Sequence, residues 1–364
     1  MTNEFYPRTG GIATYGMELA RAIHTLGRDV AVSCPFFSGP EPLVPFAIEQ
    51  RPSRGSQDPD DLWRLSRVLG GHLRGSPADV LLLAEPAPIR AALLSQAWLD
   101  FSKAPLWLVF FGSELARMAA NPVWRGLLQK LGRKTDRFVV ISEYTGRLAC
   151  KHFPDWESRL VVAPPGLEPG WLEAFERLER PSTPPVKLLT VARLHPRKGQ
   201  LEVMEALRTI SREEVGSLTY TLVGSGRRKA FQNRIRRAAA GCPHPIRFTG
   251  DLHGDALRGA FADAHIFIMA SRPDPFSIES FGIVYLEAAA AGLPVIAADV
   301  GGVREAVVPG ETALLIPPGD PEALRRAIHQ LAAHPERRRH MGEAGRRFAA
   351  SFSWERSARR VLGG

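Results

Sequence analysis

The sequence predicts an α/β protein built from two doubly wound, Rossmann-like domains, and three observations carry that expectation. Short apolar runs alternate with amphipathic helical runs from end to end. The apolar runs are continuous rather than alternating, which is how parallel strands covered by helices on both faces read. One proline-rich stretch, "ERPSTPPVK", interrupts the pattern near the middle, after which it restarts. A chain of 364 residues also suits two domains, since a domain averages about 150 residues.

Taken in order, the first-half strands are "DVAVSC" (29–34), "ADVLLLAE" (78–85), "PLWLVFF" (105–111), "RFVVIS" (137–142) and "RLVVA" (159–163). Ile12, Tyr15, Leu19 and Ile23 fall at helical spacing and predict a helix over 12–26. The second half offers "KLLTVA" (187–192), "LTYTLVG" (218–224), "IRFTG" (246–250), "HIFIMAS" (265–271), "PVIAA" (294–298) and "ALLI" (313–316). A last helix is expected within 352–362. The expected organisation is a first domain over 1–178, a linker over 179–186, a second domain over 187–350 and a terminal helix over 351–364. Only nine residues precede the glycine pair Gly10–Gly11, so the first strand reads as truncated. The expectation is that the reading frame extends upstream by an apolar strand, or that another segment fills the gap.

Composition narrows the function. Hydrophobic residues make up 45% and charged residues 23%, which excludes a disordered chain or a fibre. Glu85 and Glu287 break the longest apolar runs below the ~18 residues of a membrane span. The start lacks the basic and apolar regions of a secretory signal, so a cytoplasmic location is expected. Cys34, Cys150 and Cys242 are odd in number and far apart, with neither disulfide nor metal spacing. The net charge is +9 and uneven: residues 1–180 hold 21 Lys and Arg against 20 Asp and Glu, the rest 26 against 18. An anionic ligand on the second half fits that bias. Nucleic acid is not expected, because no aromatic interleaving accompanies the charge.

The chemistry concentrates in four motifs. In "ESFGIVYLEA", Glu279 and Glu287 are eight apart and cannot share a helical face. The spacing makes sense if Glu279 lies in a loop and Glu287 inside a helix starting near Gly282. Free N–H groups of Gly282, Ile283 and Val284 at a helix start, where the dipole is positive, suit a phosphate. Glu287, two turns in, can accept two ribose hydroxyls. Ser280 and Phe281 lie in the same loop and are candidate ligand-binding residues. In "VARLHPRKG", Arg193 and Lys198 follow a strand directly; an arginine fork and a lysine point charge suit a pyrophosphate leaving group. His195 and Arg197 between them receive no role. "VGSGRR" places Gly224 at a third strand-to-helix turn, though not at dinucleotide-fingerprint spacing. "RTGGIATY" places Gly10 and Gly11 at a glycine-rich helix entry. His244, His253 and His334 are expected on solvated loops, and no histidine or carboxylate cluster has metal spacing.

Together "GGIATYGMELARAI", "VARLHPRKG", "ESFGIVYLEAAAAGLPVIA" and "GGVREAV" resemble glycosyltransferase family four, the retaining sugar transferases of the GT-B fold. The resemblance runs from about Asn3 to the last helix. It implies two Rossmann-like domains facing across a cleft, with the donor on the second, the acceptor mainly on the first and a terminal helix returning to domain one. It also implies a nucleotide-diphosphate sugar, GDP- or UDP-linked, as co-substrate, and no metal or other cofactor. Glu287 would then bind the ribose, Glu279 the sugar hydroxyls, Arg193 and Lys198 the diphosphate, and Gly10–Gly11 would border the phosphate and acceptor. The acceptor would be a glycan, lipid or small molecule, with peripheral contact at the inner membrane face. One departure concerns "LVFFGSEL": Phe111 stands where many members carry a histidine. Two alternatives share the fold: a nucleotide-sugar epimerase, and a sugar-nucleotide-binding protein without turnover.

Overall fold

The computed structural model describes residues 1–6, 10–38, 42–53, 55–75, 78–178, 180 and 185–364. The chain divides into two compact units, Met1–Gly166 with Ser353–Gly364, and Leu167–Phe352. The first break falls earlier than the expected domain end at 178. Its cause is aromatic packing inside the second unit: the Trp171 ring meets Phe175 at 5.9 Å and Phe261 at 5.6 Å. The expected linker over 179–186 lies outside the described residues, except Arg180, Pro185 and Val186. Arg180 is a clamp of the second unit, its guanidinium donating to the carbonyls of Ala264, Phe261 and Ala291. Among the described residues no helix is long and apolar enough to cross a membrane.

All strand pairs run parallel. In the first unit the strands are β1 (Ala31–Pro35), β2 (Ala47–Arg51), β3 (Leu81–Ala84), β4 (Leu106–Phe110), β5 (Arg137–Val140) and β6 (Leu160–Val162). They form a β1-β2 pair and a β3-β4-β5-β6 sheet. Between the two, Thr2 N–H donates to Ser33 O (3.0 Å) and Ala84 N–H to Met1 O (3.0 Å). The Met1–Thr2 backbone therefore bonds to both edges, where a central first strand would lie. Strand β2 was not foreseen; its sequence, AIEQR, is too polar to read as a strand.

The first-unit core is aromatic around Trp156, whose ring stacks on Phe138 at 3.9 Å and Phe153 at 4.2 Å. The terminal helix, Trp354–Leu362, belongs to this unit. Its Trp354 ring meets Tyr15 at 5.3 Å, and Ser353 Oγ caps it by accepting from Arg356 N–H.

The second unit holds β7 (Val186–Val191), β8 (Leu218–Val223), β9 (Ile246–Gly250), β10 (Ile266–Met269), β11 (Val295–Ala298) and β12 (Ala313–Ile316). Their order is β12-β11-β10-β7-β8-β9. The direction of winding reverses between β7 and β10, and in such sheets ligands bind beyond the carboxyl ends of strands at the reversal. Strands β10 and β11 are buried at every position, which matches their continuous apolar sequence.

Replacing Trp156 with alanine should remove its stacking on Phe138, Phe153 and Phe110 and cost about 3–5 kcal/mol. Denaturant unfolding followed by fluorescence and circular dichroism would measure it, and a loss below about 1 kcal/mol would mean that Trp156 is not central to that core.

Candidate active site

Two loops leave the reversal point side by side. After β7 the chain runs through Arg193 to a short turn, Pro196–Lys198, whose proline fixes φ for its first residue. After β10 it runs through Ser271 and Glu279 to Gly282, which begins the helix Ile283–Ala290. Gly282 has φ +86°, a conformation that an L side chain rarely adopts, and a Cβ there would meet the Tyr285 ring at 2.6 Å. The second glycine of "GGVREAV" pins this loop from outside. Gly302 N–H donates to Glu279 O (2.8 Å), and a Cβ at Gly302 would lie 1.9 Å from Ser280 O.

Glu279 is the electrostatic centre. Its side chain is 9% exposed, and Oε2 accepts from both Lys198 Nζ (2.6 Å) and Arg197 NH1 (2.8 Å). Burial alone would push this carboxyl up; the two cations overturn that and hold it at about 2. Lys198 is pulled below the usual ammonium range by burial, partly opposed by Glu279. Oε1 of Glu279 carries no hydrogen bond among the described residues. The helix beyond has no side-chain cap, and the N–H groups of Gly282, Ile283 and Val284 are likewise unbonded among the described residues. Unsatisfied N–H groups at a helix start form an anion-binding site.

Glu287 lies inside this helix and is half-buried. Burial, with the Glu168 carboxylate adding to it, raises its carboxyl to about 8. Trp171 fixes the segment carrying Glu168: its indole N–H donates to Glu287 O (3.0 Å), and its backbone N–H donates to Glu168 O (3.1 Å). A carboxyl that is protonated near neutrality both donates and accepts hydrogen bonds.

The placement of the other candidates is mixed. Ser280 and Phe281 are buried, with Phe281 packed on Phe352 at 5.8 Å. Gly224 N–H donates to Gly250 O (2.7 Å), while Ser225 bonds Asp251 and accepts from Leu194 N–H (2.7 Å) through its carbonyl. This joins the β8 loop to the one carrying Arg193. Arg193 itself is exposed, and among the described residues only its carbonyl is hydrogen-bonded, accepting from Gln200 Nε2 (2.9 Å). Gly10 and Gly11 begin the helix Gly11–Thr25 of the first unit; Arg8 of the same motif lies outside the described residues. Phe111 is buried and packs edge-on against Tyr15 at 5.3 Å, so this position is apolar rather than hydrogen-bonding. His244 corrects an expectation: it is buried, not solvated, with Nε2 2.9 Å from Ile210 O.

Arg197 is the residue that sequence reasoning missed. Its partner is far along the chain, but a signal existed: in a short 3₁₀ turn consecutive side chains diverge by about 120° and can straddle one acceptor. Among the described residues no group of three or more His, Cys, Asp or Glu could hold a metal ion.

A parallel sheet reversing at β7 and β10, with a helix start and paired cations beyond it, is a doubly wound α/β arrangement whose strand ends suit an anionic ligand. Residues 9–171 match the family model "Glycosyltransferase Family 4", and residues 173–348 match "Glycosyl transferases group 1". The chain belongs to this glycosyltransferase family and is a glycosyltransferase. It is 28% identical to the GDP-mannose-dependent alpha-(1-6)-phosphatidylinositol monomannoside mannosyltransferase of Mycobacterium tuberculosis, across 99% of this chain and 96% of that protein. It is 29% identical to the GDP-mannose-dependent monoacylated alpha-(1-6)-phosphatidylinositol monomannoside mannosyltransferase of Corynebacterium glutamicum, across 98% and 94%. Among solved structures, a sucrose-phosphate synthase from Thermosynechococcus elongatus superposes with a TM-score of 0.78 at 20% identity, covering 97% of this chain and 92% of that one.

The Glu279 ion pairs make stability pH-dependent in a defined direction. A carboxyl lowered on folding contributes stability that is present above its ordinary value of 4.5 and lost as pH falls through about 2. Melting temperatures of the native protein and Glu279→Gln should therefore differ most above pH 5 and converge towards pH 2. Parallel curves across that range would contradict the pairing.

Proposed function

We propose that this glycosyltransferase moves a mannosyl unit from GDP-mannose to an inositol-lipid acceptor, with retention of anomeric configuration and without a metal ion. The observation that carries this reading is the Glu279 cluster beside an uncapped helix start at the sheet's reversal point. The N–H groups of Gly282–Val284, unbonded among the described residues, would receive the diphosphate, Lys198 would meet its charge, and the exposed Arg193 would close on it from solvent. Oε1 of Glu279 would accept a hydroxyl of the transferred sugar, and Glu287 would bind the ribose hydroxyls. The named activities of the two mannosyltransferase relatives support GDP-mannose and the lipid acceptor.

No carboxylate is assigned as a covalent nucleophile. Attack on the same face within an oxocarbenium-like ion pair accounts for retention, with departing charge stabilised by Lys198 and the helix start. These positive groups take the part that a divalent cation would otherwise play. Peripheral membrane contact suits the exposed Trp63 and Trp98 of the first unit, since tryptophan favours the membrane interface. The two relatives named above are transferases, which favours transfer over the epimerase alternative.

The test is a transfer assay with GDP-mannose and UDP-glucose in parallel, vesicles containing phosphatidylinositol mannosides, and excess chelator. Mass spectrometry should find one added hexose from the GDP donor only, and NMR the donor's own anomeric configuration. Activity abolished by chelation and restored by Mg²⁺ or Mn²⁺, or an inverted product, would overturn the mechanism. Turnover with the UDP donor alone would overturn the donor.

A further inference from the structure

The donor-site reading leaves one charge unexplained, and the proposal here rests on that reading. Glu279 is buried with a single charge, yet two cations share its Oε2. One would suffice to neutralise it. The two differ in mobility. Arg197 is held at two backbone points, its N–H donating to His195 Nδ1 (3.2 Å) and its carbonyl accepting from Arg272 N–H (2.7 Å), and its side chain is 9% exposed. Lys198 carries its charge at the end of a flexible four-carbon stem.

We propose that Arg197 is a positioning residue that keeps Glu279 neutralised and oriented when the donor diphosphate draws Lys198 away. A lone Lys198 could not serve both partners, because leaving Glu279 would strand a buried carboxylate, one of the costliest single changes in an interior. With Arg197 in place the carboxylate stays paired throughout. Among the described residues Arg197 Nε is buried without a partner, so the guanidinium keeps a donor in reserve. Once Lys198 departs, Arg197 NH1 still holds Oε2, which leaves Oε1 turned towards the sugar. The cluster thus works as an exchange, Lys198 moving between an internal anion and an incoming one.

Calorimetric titration of the full chain with GDP, and with UDP in parallel, tests this. Arg197→Met should weaken nucleotide binding about tenfold, because Glu279 then retains Lys198. Arg197→Lys should recover most of that affinity. The distinguishing variant is Arg197→Met combined with Glu279→Gln: with no carboxylate to hold it, Lys198 is released, and nucleotide affinity should return to near the native value while sugar transfer remains lost. A role limited to supporting the fold predicts the opposite, a double variant that binds no better than Arg197→Met, and that result would overturn the proposal. Native-like binding by Arg197→Met would overturn it too. Should Arg197→Met fail the circular-dichroism check of folding, Arg197→Gln replaces it with the same expectations. If the native protein binds neither nucleotide, the donor-site reading itself fails. If it binds and the Arg197 variants do not follow this pattern, only the role of Arg197 fails.

Discussion

A carboxylate withdrawn from water must be paired, and at Glu279 that requirement organises the surrounding chain. Its two cations come from the loop after β7 and the carboxylate from the loop after β10. The ion pairs therefore tie together the two strand ends between which the sheet reverses. Burial and pairing oppose each other here, and pairing wins, since the carboxyl is held at about 2 despite its desolvation. The glycines of the site answer to the same geometry: Gly282 turns the chain into the helix, and Gly302 lets a second backbone approach the Glu279 carbonyl.

Glu287 presents the reverse balance. Among the described residues no cation offsets its burial, Glu168 adds a like charge, and its carboxyl rises to about 8. Two glutamates eight residues apart thus have carboxyls displaced in opposite directions, one held down by its two cations and the other pushed up by burial. That separation follows from neighbours rather than from residue type. It gives one end of the helix a charged acceptor beside a cationic turn, and its interior a group able to exchange hydrogen bonds with neutral hydroxyls.

Much of this was legible in the sequence for a definite reason. Parallel strands covered on both faces must be apolar throughout, so β3 to β6 and β10 to β12 stood out as continuous runs. Glu279 in a loop and Glu287 in a helix followed from their spacing. Strand β2 was hidden by its polar sequence. The unit boundary was hidden because Trp171 and Phe175 join the second unit by isolated aromatic contacts that leave no periodic trace. Arg197 was passed over because adjacent basic residues usually read as a solvated loop, and only the fold brings Glu279 to them. The burial of His244 depends on a single carbonyl, that of Ile210, which no local pattern announces.

The central claim is that Lys198 serves the departing diphosphate and not merely the resting structure. Steady-state kinetics of Lys198→Ala against the native enzyme, with folding verified by circular dichroism, tests it most directly. The account predicts that kcat falls by about 10²-fold or more, as when a donor to a developing oxyanion is removed. A rise in KM with kcat unchanged would show that Lys198 binds ground and transition states alike, and would contradict the account.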